Sequence, residues 1–170
     1  MATESSIQRH TLSVIVDNEP GVLARVIGLF SGRGYNIESL TVAEIDRRAH
    51  NSRITIVTSG TPQVIDQIQA QLGRLIPVHR VIDITLEAPG IEREMALVKV
   101  AGSVDQRSKA LRQAQSFGAE LIDTTDTSYI FEVADAPDKI DAFIELLVPL
   151  GLVEVSRTGV AAITRGAEAM

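Results

Sequence analysis

Hydrophobic and polar positions along the chain switch between a period of two and a period near 3.6, and the switches divide it into strands and helices. Thr11-Leu-Ser-Val-Ile-Val16 reads as a short, mostly apolar strand, broken at Asp17-Asn-Glu-Pro-Gly21. Val22, Val26, Leu29 and Phe30, with Leu23 and Ile27 beside them, form one apolar stripe. They predict a helix with Pro20 near its first position and Ser31-Gly-Arg-Gly34 at its end. Alternation resumes from Tyr35 to Glu44 as a second strand, and a polar turn over 46–52 leads into a third, Arg53 to Thr58. Thr61-Pro62 caps and opens a second helix carrying Val64, Ile65, Ile68, Leu72 and Leu75, and Val78 to Leu86 predicts a fourth strand.

Glu87-Ala-Pro-Gly90 reads as a linker, after which the same βαββαβ order returns. Met95 to Ala101 is a strand, and Ser103 with Gln106 forms a capping box for a helix that carries Ala110, Leu111, Ala114 and Phe117 and ends at Gly118. Glu120 to Asp123 and Tyr129 to Val133 flank a Thr/Asp/Ser turn as a hairpin, and Pro137 opens a helix with Ile140, Phe143, Ile144 and Leu147 on one face. Val153 to Val155 and Val160 to Ile163 close the chain as one bent strand or two short ones, depending on Gly159. The repeat of about 80 residues predicts an α+β chain of two tandem ferredoxin-like βαββαβ units, at 9–87 and 91–166. Units of that size bury only ~60–65% of their unfolded surface, so association is expected. The strand from Tyr35 to Glu44 lies at a sheet edge without Pro or Lys to blunt it, and pairing with a second copy would make a two-fold dimer.

Composition narrows the chemistry. The 170 residues contain no Cys, and the three histidines (His10, His50, His79) are too scattered to predict a metal site, so thiol and metal chemistry are not expected. The formal charge is −6, with 8 basic and 9 acidic side chains in residues 1–88 and 8 and 13 in residues 89–170. That balance, with no Trp, argues against nucleic acid as a partner. The amino end lacks a signal-peptide pattern and no apolar run reaches the length of a membrane span, so a cytoplasmic protein with no membrane partner is expected.

The most specific passage is Val16-Asp-Asn-Glu-Pro-Gly-Val-Leu-Ala-Arg-Val26, where a glycine lies at a helix amino terminus. Free N–H groups and the positive end of the helix dipole there suit a carboxylate, with Gly21 and Val22 as donors because Pro20 has no N–H. Asn18 and Pro20-Gly21 equally suit a plain helix start. Arg25 could reach an anion in the loop or simply face solvent, and Arg47, Arg48 and Arg53 could dock an acidic surface or form an ordinary turn. Ser103, Asp123, Asp126 and Ser156 sit in turns or caps without a nearby His, so no catalytic triad or carboxylate pair is predicted.

The run DNEPGVLARVIGLFSGRGYNIESLTV resembles the ACT domain of the small, regulatory subunits of acetohydroxyacid synthase (acetolactate synthase). Arg53-Ile-Thr-Ile-Val57, Glu92 to Val100, Leu121-Ile-Asp123, Lys139 to Phe143 and Glu154 to Gly159 are similar to that family's later blocks. The resemblance implies a noncatalytic subunit that activates a large thiamine-diphosphate enzyme of branched-chain amino-acid biosynthesis and transmits feedback inhibition by valine. It implies thiamine diphosphate, Mg2+ and FAD on the catalytic partner and no cofactor on this chain. Carried over, Asn18, Pro20, Gly21 and Val22 would cradle valine, and Asn36 and Ile37 from the edge strand of a partner copy would close the pocket. On the residues alone, Asn36 also fits a plain edge position and Ile37 a core one. The second unit lacks the D-N-x-P-G pattern at Ala101 to Val104, so one effector site per chain is expected. Two other classes stay open on the residues alone. An acylphosphatase-like enzyme would use the same loop, Arg25 and Asn36, although its signature motif is missing, and a free-standing transcriptional sensor would need a DNA-binding partner.

Overall fold

The computed structural model describes residues 6–87 and 90–170, so Ala88 and Pro89 of the expected linker lie outside the described residues. The chain forms β1 (Gln8–Asp17), α1 (Val22–Arg33), β2 (Ser39–Asp46), β3 (Asn51–Gly60), α2 (Pro62–Leu72) and β4 (Val78–Asp83). It continues with β5 (Gly90–Val100), α3 (Val104–Ser116), β6 (Glu120–Thr124), β7 (Tyr129–Asp135), α4 (Pro137–Leu147), β8 (Leu152–Arg157) and β9 (Ala161–Thr164). Two compact units result: the chain through Ile91 together with Val160–Met170, and Glu92–Gly159.

In the first unit the strands run in the order β2-β3-β1-β4, all antiparallel. Leu12, Val14 and Val16 share one face with Ile54 and Ile56, and α1 and α2 lay Val22, Val26, Phe30, Ile65, Ile68 and Leu72 on it. The opposite face carries a small cluster of Ile82, Ile84 and Ala162, with Met170 against it. The second unit repeats the architecture in the order β6-β7-β5-β8. Its core joins Ala96, Val98, Val100, Phe131 and Val133 of the sheet to Ala110, Ala114, Ile140, Phe143 and Leu147 of the helices. Burial of each Leu, Ile, Val or Phe is worth roughly 1.5–3 kcal/mol, so these two layers supply most of the stabilisation.

The helix signals read from the sequence are present: Thr61 caps α2 with Pro62 at its first turn, Ser103 and Gln106 form a complete capping box on α3, and Pro137 opens α4. Strand ends differ more. β2 begins at Ser39 rather than Tyr35, because the preceding backbone is already engaged. Tyr35 N–H donates to Phe30 O (3.0 Å), Thr58 Oγ1 donates to Asn36 O (2.6 Å), and Glu38 N–H donates to Val57 O (2.8 Å). β4 stops at Asp83 rather than Leu86, since the Asp83 carboxylate accepts the N–H groups of Thr85 (2.9 Å) and Leu86 (3.3 Å) and folds the chain into a turn. Helix α1 starts at Val22, leaving Pro20 outside it, because Gly21 takes the left-handed conformation (φ 85°) that interrupts the run. Gly159 is also left-handed (φ 87°), and the last strand signal is accordingly split into β8 and β9.

One ion pair fixes the second unit's sheet. Arg157 on β8 meets Glu94 on β5 through two parallel bonds (2.8 and 2.7 Å) and reaches Asp141 on α4 (2.6 Å). The Glu94 carboxylate raises the Arg157 pKa above its ordinary value, and that carboxylate is itself only 5% exposed. Removing the guanidinium leaves a buried anion with no counter-charge. Arg157→Ala is therefore expected to destabilise the chain by about 2–3 kcal/mol, after allowing for the partial exposure of Arg157, as measured by denaturant unfolding.

Candidate functional site

β1 delivers Asp17 and Asn18 to one end of the first sheet, where several long-range bonds fix them. Asp17 N–H donates to Pro77 O (2.9 Å), and its carboxylate lies 2.5 Å from His79 Nε2 on β4. Asn18 N–H donates to the carbonyl of His50 (2.6 Å), a residue that itself adopts φ 52° in the β2–β3 turn. The Asn18 side chain donates through Nδ2 to Glu44 Oε1 on β2 (3.3 Å). A carboxylate only accepts, so the amide faces Glu44 with its NH2 group, and Oδ1 remains as the acceptor.

Gly21 is the N-cap of α1 and offers no side-chain cap. Val22 N–H closes a turn on Glu19 O (3.4 Å), and Arg25 N–H bonds Gly21 O (3.1 Å). Among the described residues no acceptor meets the N–H groups of Gly21, Leu23 and Ala24. The first turn also carries no acidic side chain to offset the helix dipole, and a Cβ built on Gly21 meets nothing within 4 Å. An open, electropositive helix start thus lies beside the acceptor of Asn18 and the carboxylates of Asp17 and Glu44. That combination suits a zwitterion, its carboxylate on the helix start and its ammonium toward Asn18.

The corresponding start in the second unit is closed. Ser103 Oγ accepts Gln106 N–H (3.2 Å), the Gln106 side chain accepts Ser103 N–H (2.9 Å), and a Cβ on Gly102 would lie 2.7 Å from Gln106 Oε1. The same turn of the fold is capped by its own side chains there, which occupy the Ser103 and Gln106 N–H groups.

Asn18, Pro20, Gly21 and Val22 are contiguous in the loop, whereas Asn36 and Ile37 stand at the far end of α1, about 18 Å away for a helix of 12 residues. One chain does not bring the two groups together. Asn36 and Ile37 lie in the segment before β2 and not in the strand itself. The Asn36 carbonyl is anchored by Thr58, its side chain is exposed, and Ile37 packs partly against the first core. Arg25 is exposed and lines a shallow groove of about 560 Å3 with Gly28, Leu29, Gly32, Arg33 and Leu75. The expected basic cluster is divided: Arg47 pairs with Glu44 (3.4 Å), Arg48 N–H bonds Asp46, and Arg53 reaches the carbonyl of Ala162 (3.4 Å). Asp126 accepts Arg107 through its backbone carbonyl in the hairpin turn, and Ser156 lies on β8. Glu44, His50 and His79 were missed by sequence reading, because each reaches the loop across 26 or more residues. Among the described residues no group of three or more His, Asp or Glu is gathered to hold a metal ion, and no helix is long and apolar enough to cross a membrane.

Comparison with known proteins matches both halves. A family described as the AHAS small subunit-like ACT domain matches residues 12–80, and one described as the small subunit of acetolactate synthase matches residues 93–166. The chain is 42% identical to a probable acetolactate synthase small subunit of Archaeoglobus fulgidus, over 93% of this chain and 98% of that one. It is 43% identical to the acetolactate synthase isozyme 3 small subunit of Escherichia coli, over 95% and 99%. A crystal structure of the small subunit from Thermotoga maritima superposes with a TM-score of 0.82 at 34% identity, covering 95% of this chain and 99% of that one.

Because open space surrounds Gly21, Gly21→Ala isolates the backbone cost of its left-handed conformation. We expect a loss of about 1–2 kcal/mol, seen as a lower denaturant midpoint at unchanged slope.

Proposed function

Because the chain belongs to the acetolactate synthase small-subunit family, with an ACT domain in its first half, we propose that it senses valine. In this reading it conveys feedback inhibition to the thiamine-diphosphate-dependent catalytic subunit, which it also activates. Catalysis, and with it thiamine diphosphate, Mg2+ and FAD, belongs to that large subunit, and the complex works in the cytoplasm on branched-chain amino-acid biosynthesis.

The observation that carries the effector assignment is the uncapped start of α1 at Gly21, with three free N–H groups beside the acceptor of Asn18. A valine carboxylate on those donors and its ammonium on Asn18 Oδ1 would use both charged ends. Charge-assisted bonds of this kind are worth about 1.5–3 kcal/mol each, which with modest apolar contact gives micromolar to millimolar affinity. Such a range suits a sensor of a free metabolite.

Dimerisation completes the site. Among the described residues β2 pairs only with β3 and nothing pairs with its other edge, and Val42 and Ile45 on it are exposed. A second copy pairing there would cover these apolar side chains, satisfy the edge, and bring its Asn36 and Ile37 to the first copy's loop. A ligand held by two protomers stabilises the dimer that binds it, which links its concentration to interface geometry.

Two substitutions test the pocket. Gly21→Asp places a carboxylate at the effector carboxylate's position and is expected to abolish valine inhibition while activation of the catalytic subunit survives. Gly21→Asn, which tolerates the same backbone but lacks the charge, should inhibit at higher valine. Equal loss in both variants would assign the effect to folding. Asn36→Ala should weaken valine binding by about 1–3 kcal/mol in calorimetry, and unchanged affinity would remove Asn36 from the site.

A further inference from the structure

The residues that follow the second unit return to the first and grip its edge strand. After the left-handed Gly159, Val160 is only 2% exposed, and both of its backbone polar groups are held by β2. Its N–H donates to Ser39 Oγ (2.9 Å), and its carbonyl accepts Thr41 Oγ1 (3.0 Å). Ser39 and Thr41 are two residues apart and so project from the same face of the strand, opposite to the face of Leu40 that meets the helices. Further along, Ala162 O accepts Arg53 Nη1 on β3 (3.4 Å), at the register position facing Ala43, and the Ala162 methyl packs with Ile82 and Ile84. Residues 160–162 thus form a strap across the outer face of the sheet, from β2 over β3 toward β4.

The position of this strap links two parts of the chain. Ser39 lies two residues beyond Ile37, one of the residues assigned above to the effector pocket, and is not itself among them. Val160 lies three residues beyond Arg157, the last residue of β8, with Gly159 between them. We infer that the Ser39–Val160–Thr41 clamp transmits effector occupancy at residues 36–37 to the second unit, with Gly159 as the pivot. This inference rests on the effector reading of that segment.

Three physical points support it. β2 is an edge strand that among the described residues is bonded to β3 alone, so a ligand or second copy that engages it meets one ladder and not two. The two hydroxyls act on a single buried residue, so a shift of β2 either carries Val160 along or leaves its backbone groups unpaired, which is costly. Ser is a poor strand former, and its place here is accounted for by the bond to Val160. Ser39 and Thr41 act only through the strap and are positioning residues.

The test uses the complex reconstituted with the catalytic subunit. For the Ser39→Ala/Thr41→Val double variant, we expect calorimetric valine affinity within about twofold of the unaltered chain and retained activation. Residual activity at saturating valine should rise severalfold, because occupancy is kept while its coupling to the catalytic subunit is weakened. Thr41→Ser alone, which keeps the hydroxyl, should inhibit normally. Unchanged inhibition at saturating valine in the double variant overturns the inference, as does a loss of binding that parallels the loss of inhibition. If the unaltered chain itself binds no valine, the effector reading fails, and the strap's role in transmission fails with it.

Discussion

The first unit depends on β1 being buried on both faces. Leu12, Val14 and Val16 fill the helix side, while Thr11, Ser13 and Ile15 are enclosed on the other. With β3 and β4 hydrogen-bonded on either edge, a slip of one residue would exchange these two sets and place hydroxyls in the apolar core. Register is therefore fixed, and with it the point where Asp17 leaves the sheet. Val22, Val26 and Phe30 then seat α1 over the same core, so the helix start at Gly21 has no freedom to move independently of the strand. A weakly capped terminus would fray in isolation; here the core beneath holds it in place.

Much of this was legible in the sequence, because apolar spacing reports directly on burial. The stripe of α1, the Thr61-Pro62 and Ser103-Gln106 starts and the 129–135 strand follow from local pattern alone. Misjudged stretches were those where a polar group competes with the ladder. Residues 35–38 alternate like a strand, yet the end of α1 and Thr58 hold their backbone, and Asp83 curls 84–87 into a turn despite the apolar Ile84 and Leu86. In the candidate site, Asn18, Gly21 and Val22 could be found because they are neighbours in sequence. Glu44, His50 and His79 could not, since only the β2–β3, β1–β3 and β1–β4 pairings bring them to the loop.

The two units form a natural comparison, with the same fold and opposite treatment of the first helix start. In the second, Ser103 and Gln106 satisfy the terminus internally, a motif whose loss typically costs about 1 kcal/mol. In the first, glycine leaves the terminus to be satisfied from outside. One unit closes its first helix start with side chains where the other leaves it uncapped, and the difference lies in a few residues rather than in topology. A duplicated architecture can vary in this way without altering either core.

The strap also bears on how the molecule is made. Synthesis runs from the amino end, so the β2-β3-β1-β4 sheet and the whole second unit emerge before Val160–Met170, the segment that completes the first unit. The first unit can thus assemble its core early, yet it acquires the buried contacts of Val160 on β2 and of Ala162 on Ile82 and Ile84 only after the second unit has been synthesised. A message truncated shortly before codon 160 would encode strands β1 to β8 and neither of those contacts. Completion of the amino-terminal unit therefore reports that the second unit has been made.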